Sequence, residues 1–304
     1  MKKIISFVLA ICMMFTMSGC NAITIDGEGE SADQSGRSGA VGFSVSTLNN
    51  PFFVSLSEGA KAEAEKQGVK LVVVDAGDDA AKQTNDIEDL ISRNVSVLIV
   101  NPVDSDAVAP AVQNAVSKGI KVISVDRVVN GVEVDCQIAS DNAAGAKMAT
   151  EYLIELIGEK AKVAELEGVP GASATIDRGA GFHEVADKAL DVVASQTANF
   201  NRAEGMTVME NILQSSGDIK GVFAHNDEMA LGAIEAIAAS GKDIKVIGFD
   251  ATDDAVAAVK AGRMAATVAQ KPDLMGVTAV QTAIKLMNGD TVEKSLPVEV
   301  ELIK

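Results

Sequence analysis

The stretch from Val41 to Asp75, VGFSVSTLNNPFFVSLSEGAKAEAEKQGVKLVVVD, decides the fold. It opens with a short apolar run, Val41 to Val45, and a polar segment that ends in Asn50-Pro51. A stretch follows whose apolar residues recur at three and four, clearest from Ala60 to Gln67, and then a second apolar run, Val69 to Val74. A continuous β-branched run reads as a buried strand, and helical spacing as a helix that buries one side. Asn50 suits the N-cap of that helix and Pro51 its first turn. The unit is strand, helix, strand.

The same unit repeats along the chain. Further apolar runs are Val95 to Val100, Ile120 to Val125, Lys162 to Leu166, Val192 to Ser195, Gly221 to Ala224 and Lys245 to Phe249, with helix-period stretches such as Glu228 to Ala239 between them. Continuous runs alternating with amphipathic helices predict parallel sheets covered on both faces, so the class is α/β, doubly wound. A chain of 304 residues favours two Rossmann-like lobes over one sheet, because single cores seldom grow beyond roughly 250 to 300 residues. The rhythm breaks between Asp126 and Ser140, where VNGVEVDCQIAS replaces a turn and helix. We read that break as a crossing between lobes.

In open parallel sheets, ligands sit outside the carboxyl ends of the strands. The residues there are Ser46 and Asn50, Asp75, Asn101, Asp126-Arg127, Asn226-Asp227 and Asp250. Helix capping accounts for any one of them; their recurrence points to a polar site, and a cap does not call for the guanidinium beside Asp126. Phe52 and Phe53 stand in the first helical turn of a chain with no Trp, one Tyr and nine Phe. Adjacent helical residues point about 100° apart, so two Phe at the mouth of a sheet point to an apolar wall for a ligand. The alternative puts one in the core and the other beneath a loop.

The N-terminal MKKIISFVLAICMMFTMSGC has Lys2 and Lys3, an apolar run from Ile4 to Phe15, and small residues ending at Cys20. That is the layout of an export signal and is too short for a membrane span. Met17-Ser18-Gly19-Cys20 resembles a bacterial lipoprotein box, which makes Cys20 the expected lipidated residue after a signal over residues 1–19. Residues 20–39, rich in Gly, Ser and acids, read as a flexible linker. The formal charge is -17, which disfavours nucleic acid as a partner. Once Cys12 and Cys20 are set aside, Cys136 is alone, so no disulfide framework is expected.

No GxSxG elbow, GxxxxGK[ST] loop or GxGxxG after the first strand occurs, and His183 and His225 are the only histidines. We therefore expect no enzyme, no metal and no cofactor.

VSTLNNPFFVSL, the variant VNPVDSDAV from Val100, VDR at Val125 to Arg127, IASDN at Ile138 to Asn142, NDEMALGA at Asn226 to Ala233 and GFD at Gly248 to Asp250 resemble the type I periplasmic sugar-binding family. The likeness runs from about Ala40 to the C-terminus. It implies two lobes, residues 40–140 plus 271–299 and 141–270 plus 300–304, that close on one D-ribose in pyranose form. The resemblance implies that the hydroxyls meet Asn50, Asp126 and Arg127 from the first lobe, and Arg178, Asn226 and Asp250 from the second, with Gln270 near the hinge. The ring would lie between Phe52 and Phe53 on one side and Phe200 on the other, with Ser46, Asn101, Ser140 and Phe249 at the edge of the site.

With Cys20 lipidated, the chain is expected as a monomer anchored to the outer face of the cytoplasmic membrane, or periplasmic; the family resemblance implies that it serves an ABC-type permease and in some cases a chemoreceptor. His225, Ala251 and Ile176 stand where a close family member has Gln, Gly and Arg. Two other readings share the fold: a protein for another sugar, such as allose, galactose or a furanose signal, and the sugar-sensing core of a repressor.

Overall fold

The computed structural model describes residues 39–216 and 218–304; the signal and Cys20 lie outside them. In chain order the elements are β1 (Val41–Val45), α1 (Pro51–Gln67), β2 (Leu71–Asp75), α2 (Ala80–Ser92), β3 (Val97–Val100), α3 (Ala109–Ser117), β4 (Lys121–Val125) and β5 (Cys136–Ser140). There follow α4 (Asn142–Ile157), β6 (Lys162–Glu167), α5 (Ser173–Ala189), β7 (Asp191–Thr197), α6 (Arg202–Ser215), β8 (Gly221–Ala224) and α7 (Asp227–Ser240). The chain ends with β9 (Lys245–Asp250), α8 (Asp253–Lys260), β10 (Ala266–Ala269), α9 (Pro272–Met287), β11 (Ser295–Val298) and β12 (Glu301–Ile303).

Two sheets form, each at the centre of a doubly wound α/β lobe. The first has the order β2-β1-β3-β4-β5-β11, with every pairing parallel. The second has the order β7-β6-β8-β9-β10-β12 and is parallel except for β12, which runs antiparallel to β10 at the edge. Both faces of each sheet are covered, as the strand periodicity shows. Val97 and Ile99 of β3 enter the core shared with α1 and α9, while Leu98 and Val100 enter the one under α2 and α3. In β8, Val222 and Ala224 face one core and Phe223 the other. This is why the strands read as unbroken apolar runs.

The break at Asp126 to Ser140 is not itself the crossing. It ends in β5, a member of the first sheet, and the chain passes over only afterwards, at Asp141, into α4, which packs on β8, β9 and β10. β5 escaped the reading because alternate positions are only half-buried: Cys136, Ile138 and Ser140 are interior, Gln137 and Ala139 are not. The chain returns to the first lobe with α9, which lies along α1. The two helices approach so closely that a Cβ at Gly59 would stand 2.3 Å from the Asp273 carbonyl oxygen, and one at Gly276 would stand 2.1 Å from that of Leu56.

Candidate ligand-binding site

The residues that follow the strand ends converge. Asn50 follows β1, Asp126-Arg127 follows β4, Phe200 follows β7, Asn226 follows β8, Asp250 ends β9, Gln270 follows β10, and Arg178 projects from α5. Together with Phe52, Phe53 and Ala174 they line one cavity of about 240 Å³ not filled by protein atoms. Its lining carries two carboxylates and two guanidinium groups. Their charges balance, which favours a neutral, polar ligand.

Each polar group is held from behind. Asn50 caps α1, its Oδ1 accepting the Phe52 N–H at 2.9 Å, and Asn226 caps α7 through the Met229 N–H at 3.0 Å. Arg127 Nη1 donates to the carbonyls of Pro102 at 2.8 Å and Val103 at 3.3 Å. Its guanidinium carbon lies 5.1 Å from the ring centre of Phe53 and 5.3 Å from that of Phe200, so it sits between rings contributed by the two lobes. Arg178 Nε donates to Asn142 Oδ1 at 2.8 Å and Nη1 to the His225 carbonyl. The Gln270 amide donates to Asp250 Oδ1 at 2.7 Å.

Phe52 and Phe53 both face the cavity, and both, rather than one, also enter the core. Their rings meet edge to face, with centroids 5.1 Å apart; both line the cavity and both belong to the core against β1 and α9. Phe200 stands opposite at φ +57°, its ring against Gly168, where a Cβ would fall 2.0 Å from Phe200 Cζ. Asp126 (φ +64°) and Asp250 (φ +127°) also have left-handed backbone. Such strain costs roughly 1 to 3 kcal/mol per residue and persists where the surroundings over-determine it.

Burial sets the electrostatics. It pushes the Asp126 carboxyl up, against the pull of Arg127 and Arg178, and pushes Asp250 well above the ordinary carboxylate range, against Arg178. It pulls both guanidinium groups down, with the two aspartates opposing. Asp126 Oδ1, Arg127 Nε and Gln270 Oε1 are buried without a hydrogen-bond partner among the described residues. An unsatisfied buried group costs about 1 to 3 kcal/mol, so donors and acceptors entering the cavity would be strongly held.

The four residues expected at the edge do not line the cavity. Asn101 is fully buried behind it, accepting the Ser46 N–H at 3.1 Å and donating to the Val125 carbonyl at 3.1 Å and Asp126 Oδ2 at 3.2 Å. Ser46 and Ser140 are buried at strand ends, and Phe249 lies beneath Arg178. Sequence reasoning missed Ala174, a methyl at a helix start that carries no polar signal. It also missed Asn142, although that residue stands inside the IASDN motif.

A strand-end cavity at the junction of two doubly wound lobes, lined by aromatic faces and balanced charges, defines a solute-binding protein. A family model for the periplasmic binding protein domain matches residues 41–291, and the chain belongs to that family. It is 48% identical over 302 residues to the ribose import binding protein of Bacillus subtilis, covering 99% of each chain. To the protein of the same name from Escherichia coli it is 44% identical over 305 residues, covering 100% of this chain and 98% of the other. Among solved structures, the Caulobacter myo-inositol binding protein bound to myo-inositol aligns with a TM-score of 0.84 at 36% identity, over 88% of this chain and 94% of that one.

Proposed function

We propose that the cavity holds one molecule of D-ribose in ring form and that the protein delivers it to an ABC-type permease. The observation that carries this reading is the set of buried atoms without a hydrogen bond, Asp126 Oδ1, Arg127 Nε and Gln270 Oε1, in a charge-balanced lining between aromatic rings. A pentose hydroxyl both donates and accepts, so it can serve an acceptor-only carboxylate and a donor-only guanidinium at once. Charge-assisted bonds of this kind are roughly twice as strong as neutral ones. The ring's C–H faces suit Phe52, Phe53 and Phe200. The ribose import proteins with 44 and 48% identity support the choice of sugar.

The lobes we assign are residues 40–140 plus 271–299 and 141–270 plus 300–304. Because ligand groups come from both, the sugar favours the closed form by its differential affinity for it. The protein acts as a monomer outside the cytoplasmic membrane, tethered through lipidated Cys20, and performs no reaction on its ligand. Mass spectrometry of the mature N-terminus checks the anchor: an unmodified Cys20 or another first residue sinks it.

The deciding experiment is a thermal-shift panel with D-ribose, allose, galactose, arabinose and myo-inositol. Ligand at a hundredfold excess over its Kd stabilises the folded state by about 2.7 kcal/mol. Ribose should give a clear rise that Arg127→Ala and Asp250→Ala abolish. The myo-inositol complex among the solved relatives favours one second reading, a cyclic polyol in the same cavity; a rise with inositol and none with ribose would select it.

A further inference from the structure

Asp227 is fully buried, lies outside the cavity lining, and makes more hydrogen bonds than its neighbour Asn226. Its Oδ2 accepts both the backbone N–H of Thr252 at 2.8 Å and the Thr252 hydroxyl at 3.2 Å. Its Oδ1 accepts the Thr267 hydroxyl at 2.7 Å, and the same Thr267 oxygen accepts the Ala251 N–H at 3.2 Å. The residues fastened in this way, Ala251 and Thr252, lie just after Asp250: Asp250 has φ +127° and Ala251 φ +57°, and Thr252 returns to extended backbone at φ -60°. Neither Asp250 nor Ala251 is glycine, and both conformations are ones that L side chains rarely adopt. Room for the carboxylate is reserved as well, since a Cβ at Gly248 would stand 2.3 Å from Asp227 Oδ1.

We propose that Asp227 is a positioning residue for ligand binding, holding the strained Asp250-Ala251 turn so that the Asp250 carboxylate faces the cavity. The inference rests on Asp250 contacting the ligand. A buried carboxyl group whose two oxygens accept three hydrogen bonds can hold a backbone in a conformation that the chain alone would leave, because releasing it would orphan every donor at once. Asn at this position keeps the shape but turns one acceptor into a donor, and so cannot serve all three. Where Asp227 is ionised, above about pH 7, its charge by itself predicts the opposite effect: removing it would ease ionisation of nearby Asp250, whose carboxyl is raised by burial first and by Asp227 after it, against Arg178.

The test is isothermal titration of D-ribose into the purified wild-type protein and into Asp227→Asn, Thr267→Val, Ala251→Gly and the Asp227→Asn/Ala251→Gly pair, with melting curves to verify folding. Asp227→Asn should raise Kd about tenfold or more, equivalent to about 1.4 kcal/mol, and Thr267→Val should raise it by a smaller factor. Ala251→Gly, which removes the strain at that φ, should leave the wild type little changed and recover at least a third of the logarithmic loss in the pair. Should Asp227→Asn fail to fold, Thr267→Val with and without Ala251→Gly carries the same comparison. A folded variant that binds within twofold of wild type, or a glycine that gives no recovery, overturns the proposal. Absence of ribose binding in the wild type, by contrast, would overturn the assignment of the sugar.

Discussion

The guanidinium carbon of Arg178 lies 3.8 Å from the ring centre of Phe249, so the cation rests on an aromatic face outside the cavity lining. A desolvated contact of this kind is worth about 2 kcal/mol. Phe249→Leu keeps an apolar residue and removes the quadrupole. We expect sugar affinity to fall roughly ten- to thirtyfold in a protein that still melts cooperatively. Unchanged titration curves would show that the Asn142 and His225 contacts suffice to hold Arg178.

Gly168 gives a second way to disturb the cavity wall from outside. Alanine there would place its methyl 2.0 Å from Phe200 Cζ, and Phe200, already at φ +57°, must swing into the cavity or away from Arg127. Overpacking costs about 1 to 3 kcal/mol, so Gly168→Ala should weaken binding about ten- to a hundredfold, measurable by calorimetry. Equal affinity in the two proteins would mean that the ring moves freely.

The buried Asp227 also predicts a pH dependence with a definite sign. Burial raises its carboxyl from 3.8 to about 7, opposed by bonds from Thr267 and Thr252. Between those values the folded chain holds a proton that the unfolded chain has lost, so this residue's contribution to stability is complete below about pH 4. It falls as pH rises and is gone above about pH 7. The melting temperature of Asp227→Asn minus that of the wild type should therefore increase from pH 5 to pH 8. A difference that stays flat would show that the carboxyl ionises as it does in the unfolded chain.

Most strands at the centres of the two sheets, though not β5 or β10, were legible because they are covered on both faces, so β1 and β8 read as largely apolar runs. The edges were not. β11 contains Pro297, which suits an edge, and β12 has three residues, two of them only half-buried. Neither carries a pattern distinguishable from a loop. At the site, polar residues at strand ends announced themselves by recurrence, whereas Ala174 and Gly168 act through what they lack. Phe249 and Asn101 lie outside the cavity lining, because a strand-end position fixes where a residue starts but not which way its side chain turns.

Ser173 joins the two lobes beside the cavity, and that makes it the place to alter affinity without altering selectivity. Its hydroxyl accepts the Val128 N–H at 3.0 Å, and its own N–H donates to Ser105 Oγ at 3.3 Å; the Ser105 N–H reaches the Gly171 carbonyl at 2.9 Å. Val128 and Ser105 belong to loops of the first lobe, Gly171 and Ser173 to the second, so these bonds exist only when the lobes are together. None of the four residues lines the cavity. Ser173→Ala removes one such bond, worth a net 0.5 to 1.5 kcal/mol or about two- to twelvefold, from the closed form alone. Stopped-flow measurements should find faster sugar release with little change in association, and the same loss of affinity for every sugar that binds. A change in the ranking of sugars would mean instead that Ser173 acts on the ligand directly, because a contact made only between lobes cannot distinguish one hydroxyl from another.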